Sequence, residues 1–167
     1  MSKQLILIRH ANARSGTLGL MDFDRTLDSV GVNEAQEMAF RLRNRKLIPD
    51  LMVSSPAIRA ISTAKIFAGI WDKEHHSIVE KSTLYDASIP ALLSVVNGLD
   101  NGADSAAIFG HNPEISALAG YLADEGVYTM PTCGIVVITF EIEAWSLVSK
   151  GQGSMLLFDY PGAASAQ

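Results

Sequence analysis

The segment LILIRHANA, residues 5–13, predicts a buried strand that ends in two chemically active side chains. Residues 5–8 are a continuous aliphatic run without alternation, which is typical of a strand buried on both faces of a parallel sheet. Arg9 and His10 follow directly. Ligands of open α/β sheets bind outside the carboxyl ends of the strands. The segment therefore marks either a ligand site or simply the polar end of a strand.

The first half of the chain continues with two predicted helices. Asp28 is a good N-cap for a helix that runs to about Lys46, and apolar residues at the i, i+3, i+4, i+7 spacing give it one buried face. The next strand ends in SSP. We expect Ser55 to cap a second helix, Pro56 to be its first residue, and the helix to end near residue 70.

The second half repeats the alternation and then becomes rich in strands. A short strand precedes a helix capped by Ser88, and a buried strand ending at residues 110–111 precedes a helix opened by Pro113. Two or three strands, partly antiparallel, fill residues 133–161. The order predicts an α/β fold, a three-layer α/β/α sandwich with a mostly parallel sheet and an antiparallel C-terminal edge. We expect one domain over residues 1–160 and a flexible tail over residues 161–167.

Composition excludes several classes of protein. The chain has 167 residues and a net charge of −5, with scattered acidic residues, which argues against a nucleic-acid partner. Its single cysteine, Cys133, excludes an internal disulfide and a cysteine-based zinc site. The N-terminal apolar run is too short for a signal peptide or a membrane span. We therefore expect a cytoplasmic protein with no membrane partner.

Three separate segments place basic groups at the same predicted rim of the sheet. Arg9 and His10 follow the first strand, Arg59 lies about one turn into the helix after the second, and His111 follows the fourth. Each residue alone is compatible with a structural role, His10 as a strand-end histidine and Arg59 as a helix surface charge. Together they suit a phosphoryl group, because guanidinium forks and helix N-termini bind phosphate oxygens.

The same residues also provide a reaction path. A neutral imidazole is able to attack phosphorus, while two guanidinium groups and a second, protonated imidazole stabilise the charge that develops on the equatorial oxygens. These cations do the work that a magnesium ion does elsewhere, so we expect neither a metal nor a cofactor.

Four motifs resemble those of the histidine phosphatase superfamily, also called the phosphoglycerate mutase-like superfamily. IRHANA resembles its RHG signature, and DRTLDSVGVNEAQEMAFRL, VSSPAIRAISTAKI and IFGHNPEISALAGYL resemble three further segments. PTCGIVVITFEIEAW is similar to the end of the SixA-type branch, the phosphohistidine phosphatases, and the short chain fits that branch. Ala11 replaces the glycine of the signature.

The resemblance implies a role for each matching residue. His10 stands at the nucleophile that becomes phosphohistidine, Arg9 and Arg59 match the phosphate-clamping arginines, and His111 matches the second histidine. Asn12 matches, more loosely, a polar group that touches phosphate.

The sequence leaves alternatives for two roles, the general acid and the residue that binds the rest of the substrate. Asp86 in TLYDAS and Asp24 are two candidates for the acid, although Asp86 fits helix capping as well. Arg25 either reaches the pocket rim to bind substrate or pairs with Asp24. A weak acid is sufficient for an N–P bond, because phosphoramidates leave more easily than alcohols.

These expectations combine into a functional hypothesis. The chain is expected to be a phosphatase with a phosphohistidine intermediate, and its partner a protein that carries phosphohistidine. The alternatives are a phosphomonoesterase acting on a small phosphorylated molecule and a sensor that binds phosphorylated ligands without turnover.

Overall fold

The computed structural model describes residues 1–16, 19–125 and 129–163. These residues form one mixed sheet with helices on both of its faces. The strands are β1 (Lys3–Arg9), β2 (Leu51–Ser54), β3 (Val79–Glu80), β4 (Ser105–Gly110), β5 (Ile135–Phe140) and β6 (Ser154–Asp159). The α-helices are α1 (Ser29–Asn44), α2 (Ile58–Ile70), α3 (Ile89–Asn97) and α4 (Glu114–Ala123).

The strand order is β3-β2-β4-β1-β5-β6. The pairs β1–β4, β4–β2 and β2–β3 are parallel, whereas β5 is antiparallel to both β1 and β6. Arg9 is in register with Gly110, and Ser54 with Phe109, so β1, β2 and β4 end level with one another. The predicted parallel sheet with an antiparallel C-terminal edge is confirmed.

Two hydrophobic clusters separate the three layers. Leu5 and Leu7 of β1 face the cluster that contains α3 and α4, whereas Ile6 and Ile8 face the cluster that contains α1 and α2. All four of these side chains are fully buried. Burial on both faces explains the unbroken aliphatic run, because neither face of the strand contacts water.

The first predicted helix is confirmed, and the start of the second is wrong. Asp28 caps α1, with its side chain accepting a hydrogen bond from Gly31 N at 2.7 Å. The predicted cap Ser55 lies before α2, which begins at Ile58 after the N-cap Ala57. The Ser55 amide donates to Phe109 O at 3.0 Å, and this contact keeps Ser55 in the extended backbone of the sheet.

The C-terminal part of the chain contains two strands, as expected. Cys133 is buried and lies just before β5. Asp159, at the end of β6, is held by Arg41 of α1 at 2.9 Å. The tail expected over residues 161–167 falls outside the described residues from position 164 onward. Across the described ranges, no helix has the length and apolar character needed to cross a membrane.

Candidate active site

The ends of β1, β2 and β4 bring the predicted basic residues together. His10 follows β1, and its amide donates to Gly110 O of β4 at 3.0 Å. Its carbonyl accepts from Cys133 N at 3.0 Å, so the His10 backbone is held from both neighbouring strands. The imidazole rings of His10 and His111 lie 5.3 Å apart between centroids, at an angle of 53°. Residues about 100 positions apart in the sequence are therefore adjacent in space.

Hydrogen bonding assigns the protons of the His10 imidazole. Nδ1 lies 2.8 Å from the carbonyl of Ala11, which is only an acceptor, so Nδ1 carries the proton. Nε2 is then unprotonated, and it accepts a hydrogen bond from Arg59 Nε at 3.3 Å. Burial is the main factor that lowers the pKa of His10 to about 3; the hydrogen bond to Ala11 O opposes this shift, and the charges of Arg59 and Arg9 add to it. His10 is therefore a neutral imidazole with an available Nε2 lone pair at neutral pH.

His111 is also a neutral imidazole at neutral pH in the ligand-free protein, whereas the expected protonated form concerns the site with a phosphoryl group bound. Burial first, and then the charge of Arg59, lower the pKa of His111 to about 4. Nε2 lies 2.8 Å from Ser55 Oγ, while Nδ1 is buried and has no hydrogen-bond partner among the described residues. A nearby anion stabilises a protonated imidazole, so a bound phosphoryl group provides the charge that the free site lacks.

The two arginines are anchored differently. Arg9 donates from NH1 to Met130 O at 2.9 Å, and its Nε is buried without a partner in the described part of the chain. Burial lowers the pKa of Arg9, which nevertheless stays charged. Arg59 is held by Asp22, with NH1 donating to the backbone oxygen at 2.7 Å and NH2 to Oδ2 at 3.0 Å. Arg9, His10, Arg59 and His111 are called the basic cluster below.

Asp22 and Tyr85 are members of the site that the sequence analysis missed. The Asp22 carboxylate accepts from Arg59, from Tyr85 OH at 2.8 Å and from Arg25 NH1 at 3.0 Å. The hydrogen bond from Tyr85, followed by those from the arginines, lowers the pKa of Asp22 to about 2. Tyr85 also packs edge-on against His111, with ring centroids 5.5 Å apart. The only sequence signal was the DFD run, in which Asp24 was considered instead of Asp22.

A cavity of about 340 Å³ opens beside the basic cluster. Its lining is mostly polar and combines two members of that cluster with several acidic side chains. The lining residues are Asp22, Arg59, Tyr85, Asp86, His111, Asn112 and Glu114. Such a lining has the chemistry to bind an anion through Arg59 and His111, and it offers carboxylates to the remainder of a ligand.

The structure places three further candidate residues, Asn12, Arg25 and Asp24, in contacts with neighbouring loops or in solvent. Asn12 donates from Nδ2 to Asp28 Oδ2 at 2.6 Å, so its side chain holds the loop to the start of α1. Arg25 pairs with Asp22, not with Asp24, and its Nε donates to Arg14 O at 2.8 Å. Asp24 is exposed and does not line the cavity.

Asp86 lines the cavity and does not cap a helix. The N-cap of α3 is Ser88, whose side chain accepts from Ala91 N at 3.2 Å. Asp86 itself adopts a left-handed backbone conformation with φ of 54°. The capping alternative is therefore corrected, and the position of Asp86 is compatible with contact to a bound ligand.

Comparisons with known proteins concern the family and the fold of the chain. A family model described as the histidine phosphatase superfamily (branch 1) matches residues 5–87. An uncharacterized chloroplastic protein of Arabidopsis thaliana is 38% identical over 65 residues, which are 39% of this chain and 30% of that protein. The chain thus spans less than a third of the curated relative that it matches.

Solved structures extend the likeness to nearly the whole chain. The SixA protein of Agrobacterium tumefaciens is 26% identical, with a TM-score of 0.82 over 95% of this chain and 98% of that chain. The SixA protein of Nakamurella multipartitia shares the fold, with 24% identity and a TM-score of 0.82 over 98% of each chain. With these motifs, this fold and the matching family model, the chain belongs to the histidine phosphatase superfamily, and it is similar in structure to the SixA-type members.

Proposed function

We propose that this protein is a phosphatase in which His10 is the nucleophile. The observation that carries the proposal is the unprotonated Nε2 of His10, which lies against Arg59 and beside the His111 imidazole. Nε2 attacks phosphorus, the bond from phosphorus to the leaving group breaks, and the leaving group takes a proton from the candidate acid Asp86 or from water. Water then attacks the phosphohistidine, which releases inorganic phosphate and restores His10.

The remaining members of the basic cluster stabilise the transferring group. Arg9 and Arg59 bind the equatorial oxygens, and the unpartnered Nδ1 of His111 donates to them once it is protonated. Arg59 must exchange its contact with the Asp22 carboxylate for contact with phosphate. No step in this scheme requires a metal or a cofactor, because the protein's own cations neutralise the charge.

The proposed substrate is phosphohistidine in a protein. A 26% identical structure bears the name of a phosphohistidine phosphatase, and the N–P bond needs little help from a general acid. Asp86 is the candidate acid, because it lies on the cavity lining. The alternative substrate, a small phosphomonoester, depends more strongly on Asp86, since an alkoxide must be protonated as it leaves.

The decisive experiment compares a phosphohistidine peptide, an alkyl phosphate and an aryl phosphate as substrates. We expect His10→Ala to lower kcat/KM by about 10³-fold or more for every substrate that is turned over. His76→Ala, which changes an exposed histidine outside the cavity, is the matched control and is expected to keep full activity. Unchanged turnover in His10→Ala refutes the nucleophile. Binding of phosphorylated ligands without any turnover supports the sensor instead.

Two further measurements address the intermediate and the acid. Brief mixing with labelled substrate is expected to give a phosphorylated protein whose label is stable in alkali and lost in acid, as for an N–P bond, and to give none in His10→Ala. Asp86→Asn is expected to slow hydrolysis of the alkyl phosphate by roughly 10²-fold and that of phosphohistidine much less. Equal slowing of the two substrates contradicts the preference for an N–P bond.

A further inference from the structure

The cavity lining combines basic and acidic side chains, with Arg59 and His111 of the basic cluster next to three carboxylates. The basic cluster lies at the ends of the central strands, while Asp22, Asp86 and Glu114 line the cavity next to it. These three carboxylates are called the acidic rim. Asp22 is paired with Arg59 and Arg25. Neither Asp86 nor Glu114 has an ion pair or a side-chain hydrogen bond within the described ranges.

His111, which is not part of the acidic rim, indicates where the phosphoryl group binds in the cavity. His111 lines the same cavity, is only 8% exposed, and has an Nδ1 atom without a partner among the residues described. A buried, unpartnered imidazole nitrogen beside two arginines is a binding group for an anion. A phosphoryl group at this position leaves the rest of the substrate in contact with the acidic rim.

The rim therefore acts on the part of the substrate that does not react. A carboxylate attracts a cation and repels an anion within about one Debye length, roughly 10 Å at 0.1 M salt. This range covers a few residues on each side of a phosphorylated side chain. Partly exposed pairs of this kind change affinity by roughly two- to fivefold for each carboxylate.

We infer that the acidic rim selects phosphorylated side chains that are set in lysine- or arginine-rich protein segments. By the same charges, it disfavours phosphorylated metabolites that carry a second anionic group, such as a carboxylate. This inference rests on the proposed function, because it takes the basic cluster as the site of the phosphoryl group. Under this inference, the choice of substrate depends on the charge of the segment around the phosphorylated side chain as well as on the type of bond that is cleaved.

The test uses two phosphohistidine peptides that differ only in flanking residues, three lysines in one and three glutamates in the other. At pH 8 and low salt, we expect kcat/KM for the lysine peptide to exceed that for the glutamate peptide by at least tenfold. The preference is expected to shrink to less than threefold at 0.5 M salt, because screening shortens the range of the charges.

Charge-neutral variants locate the preference. The double variant Asp86→Asn/Glu114→Gln is expected to lower the ratio of the two kcat/KM values by about five- to twentyfold. The double variant Glu141→Gln/Glu143→Gln is the matched control, because both residues are exposed and follow β5 at the opposite end of the sheet. It removes the same number of charges and is expected to leave the ratio unchanged. A ratio that is near one in the wild type, or that the double variant does not alter, overturns the inference.

A binding measurement separates this inference from the proposed reaction. Calorimetry with His10→Ala, which has no nucleophile at this position, gives Kd for both intact peptides. A Kd at least fivefold lower for the lysine peptide supports selection by the acidic rim, even if the wild-type protein hydrolyses neither peptide. The lack of hydrolysis would count only against the proposed substrate. Equal Kd values, or no binding of either peptide, refute the rim even if both peptides are hydrolysed.

Discussion

Replacing Gly31 by alanine is a direct test of how the loop after His10, the proposed nucleophile, is positioned. Gly31 lies in the first turn of α1, against the backbone of Asn12. An added Cβ would be 2.9 Å from the Asn12 carbonyl carbon and amide nitrogen, and closer still to its carbonyl oxygen. That oxygen accepts a hydrogen bond from Asp28 N at 3.2 Å. The clash therefore falls on two backbone segments that are bonded to each other.

The geometry sets the size of the expected effect. Side-chain carbons in proteins essentially never approach other heavy atoms below 3.0 Å, so the loop and the helix must separate by on the order of 1 Å. Neither segment is able to relax by changing a rotamer. We expect Gly31→Ala to lower the free energy of unfolding by about 1–3 kcal/mol, which corresponds to a Tm decrease of roughly 2–12 °C. Displacement of the loop that follows His10 is expected to lower kcat/KM by about 10²-fold.

Two other glycines serve as controls in thermal unfolding and aryl phosphate assays. A methyl group added at Gly69 in α2 would meet no neighbouring side chain or loop within 4 Å, so Gly69→Ala is expected to stabilise by about 0.5–1 kcal/mol at full activity. Gly153→Ala places a methyl group in a clash with the Ile138 side chain and 3.0 Å from Phe140, and it is expected to destabilise the fold without changing kcat/KM. Wild-type Tm and activity in Gly31→Ala would refute the close contact between α1 and the loop after His10.

Three further predictions concern the imidazoles. Ser55→Ala removes the hydrogen bond to His111 Nε2, so kcat/KM is expected to fall about five- to thirtyfold. Ser54→Ala, which removes the neighbouring buried hydroxyl group, is the control and is expected to change kcat/KM less than twofold. The binding of phosphate at pH 6.5 is expected to be accompanied by the uptake of close to one proton, because the anion raises the low pKa of His111. Calorimetry in buffers of different ionisation enthalpy measures the number of protons taken up. Proton uptake that persists in His111→Gln contradicts the assignment to His111. Because the pKa values of His10 and His111 are lowered in the folded protein, the unfolded chain binds protons first as the pH falls below about 6.5. The free energy of unfolding, measured with urea, is therefore expected to drop by roughly 2–4 kcal/mol from pH 7 to pH 5. An equal drop in the His10→Gln/His111→Gln variant argues against this cause.

Local patterns were sufficient to predict most of the fold. The buried run in β1 and the cap of α1 depend on residues that are neighbours in the sequence, and both are confirmed. The start of α2 was wrong because Ser55 is bound to Phe109 and contacts His111, which lie more than 50 residues away. A serine followed by proline carries no trace of those distant contacts.

The candidate site was predictable only where its residues follow strands. The parallel sheet brings Arg9, His10 and His111 together because strands of one direction end at one edge. Asp22 and Tyr85 were missed because their hydrogen bond joins two loops 63 positions apart. The protonation of His111 depends on how deeply the folded chain buries it, which no local pattern indicates.

The backbone bonds of His10 also determine when the protein is able to work. Its amide is hydrogen-bonded to Gly110 and its carbonyl to Cys133, so the position of the proposed nucleophile depends on segments that are synthesised later. A nascent chain that has emerged only as far as α3 contains His10 and both arginines but neither of these anchors. Catalytic competence is therefore expected late in translation, when β4 and the turn before β5 have left the ribosome.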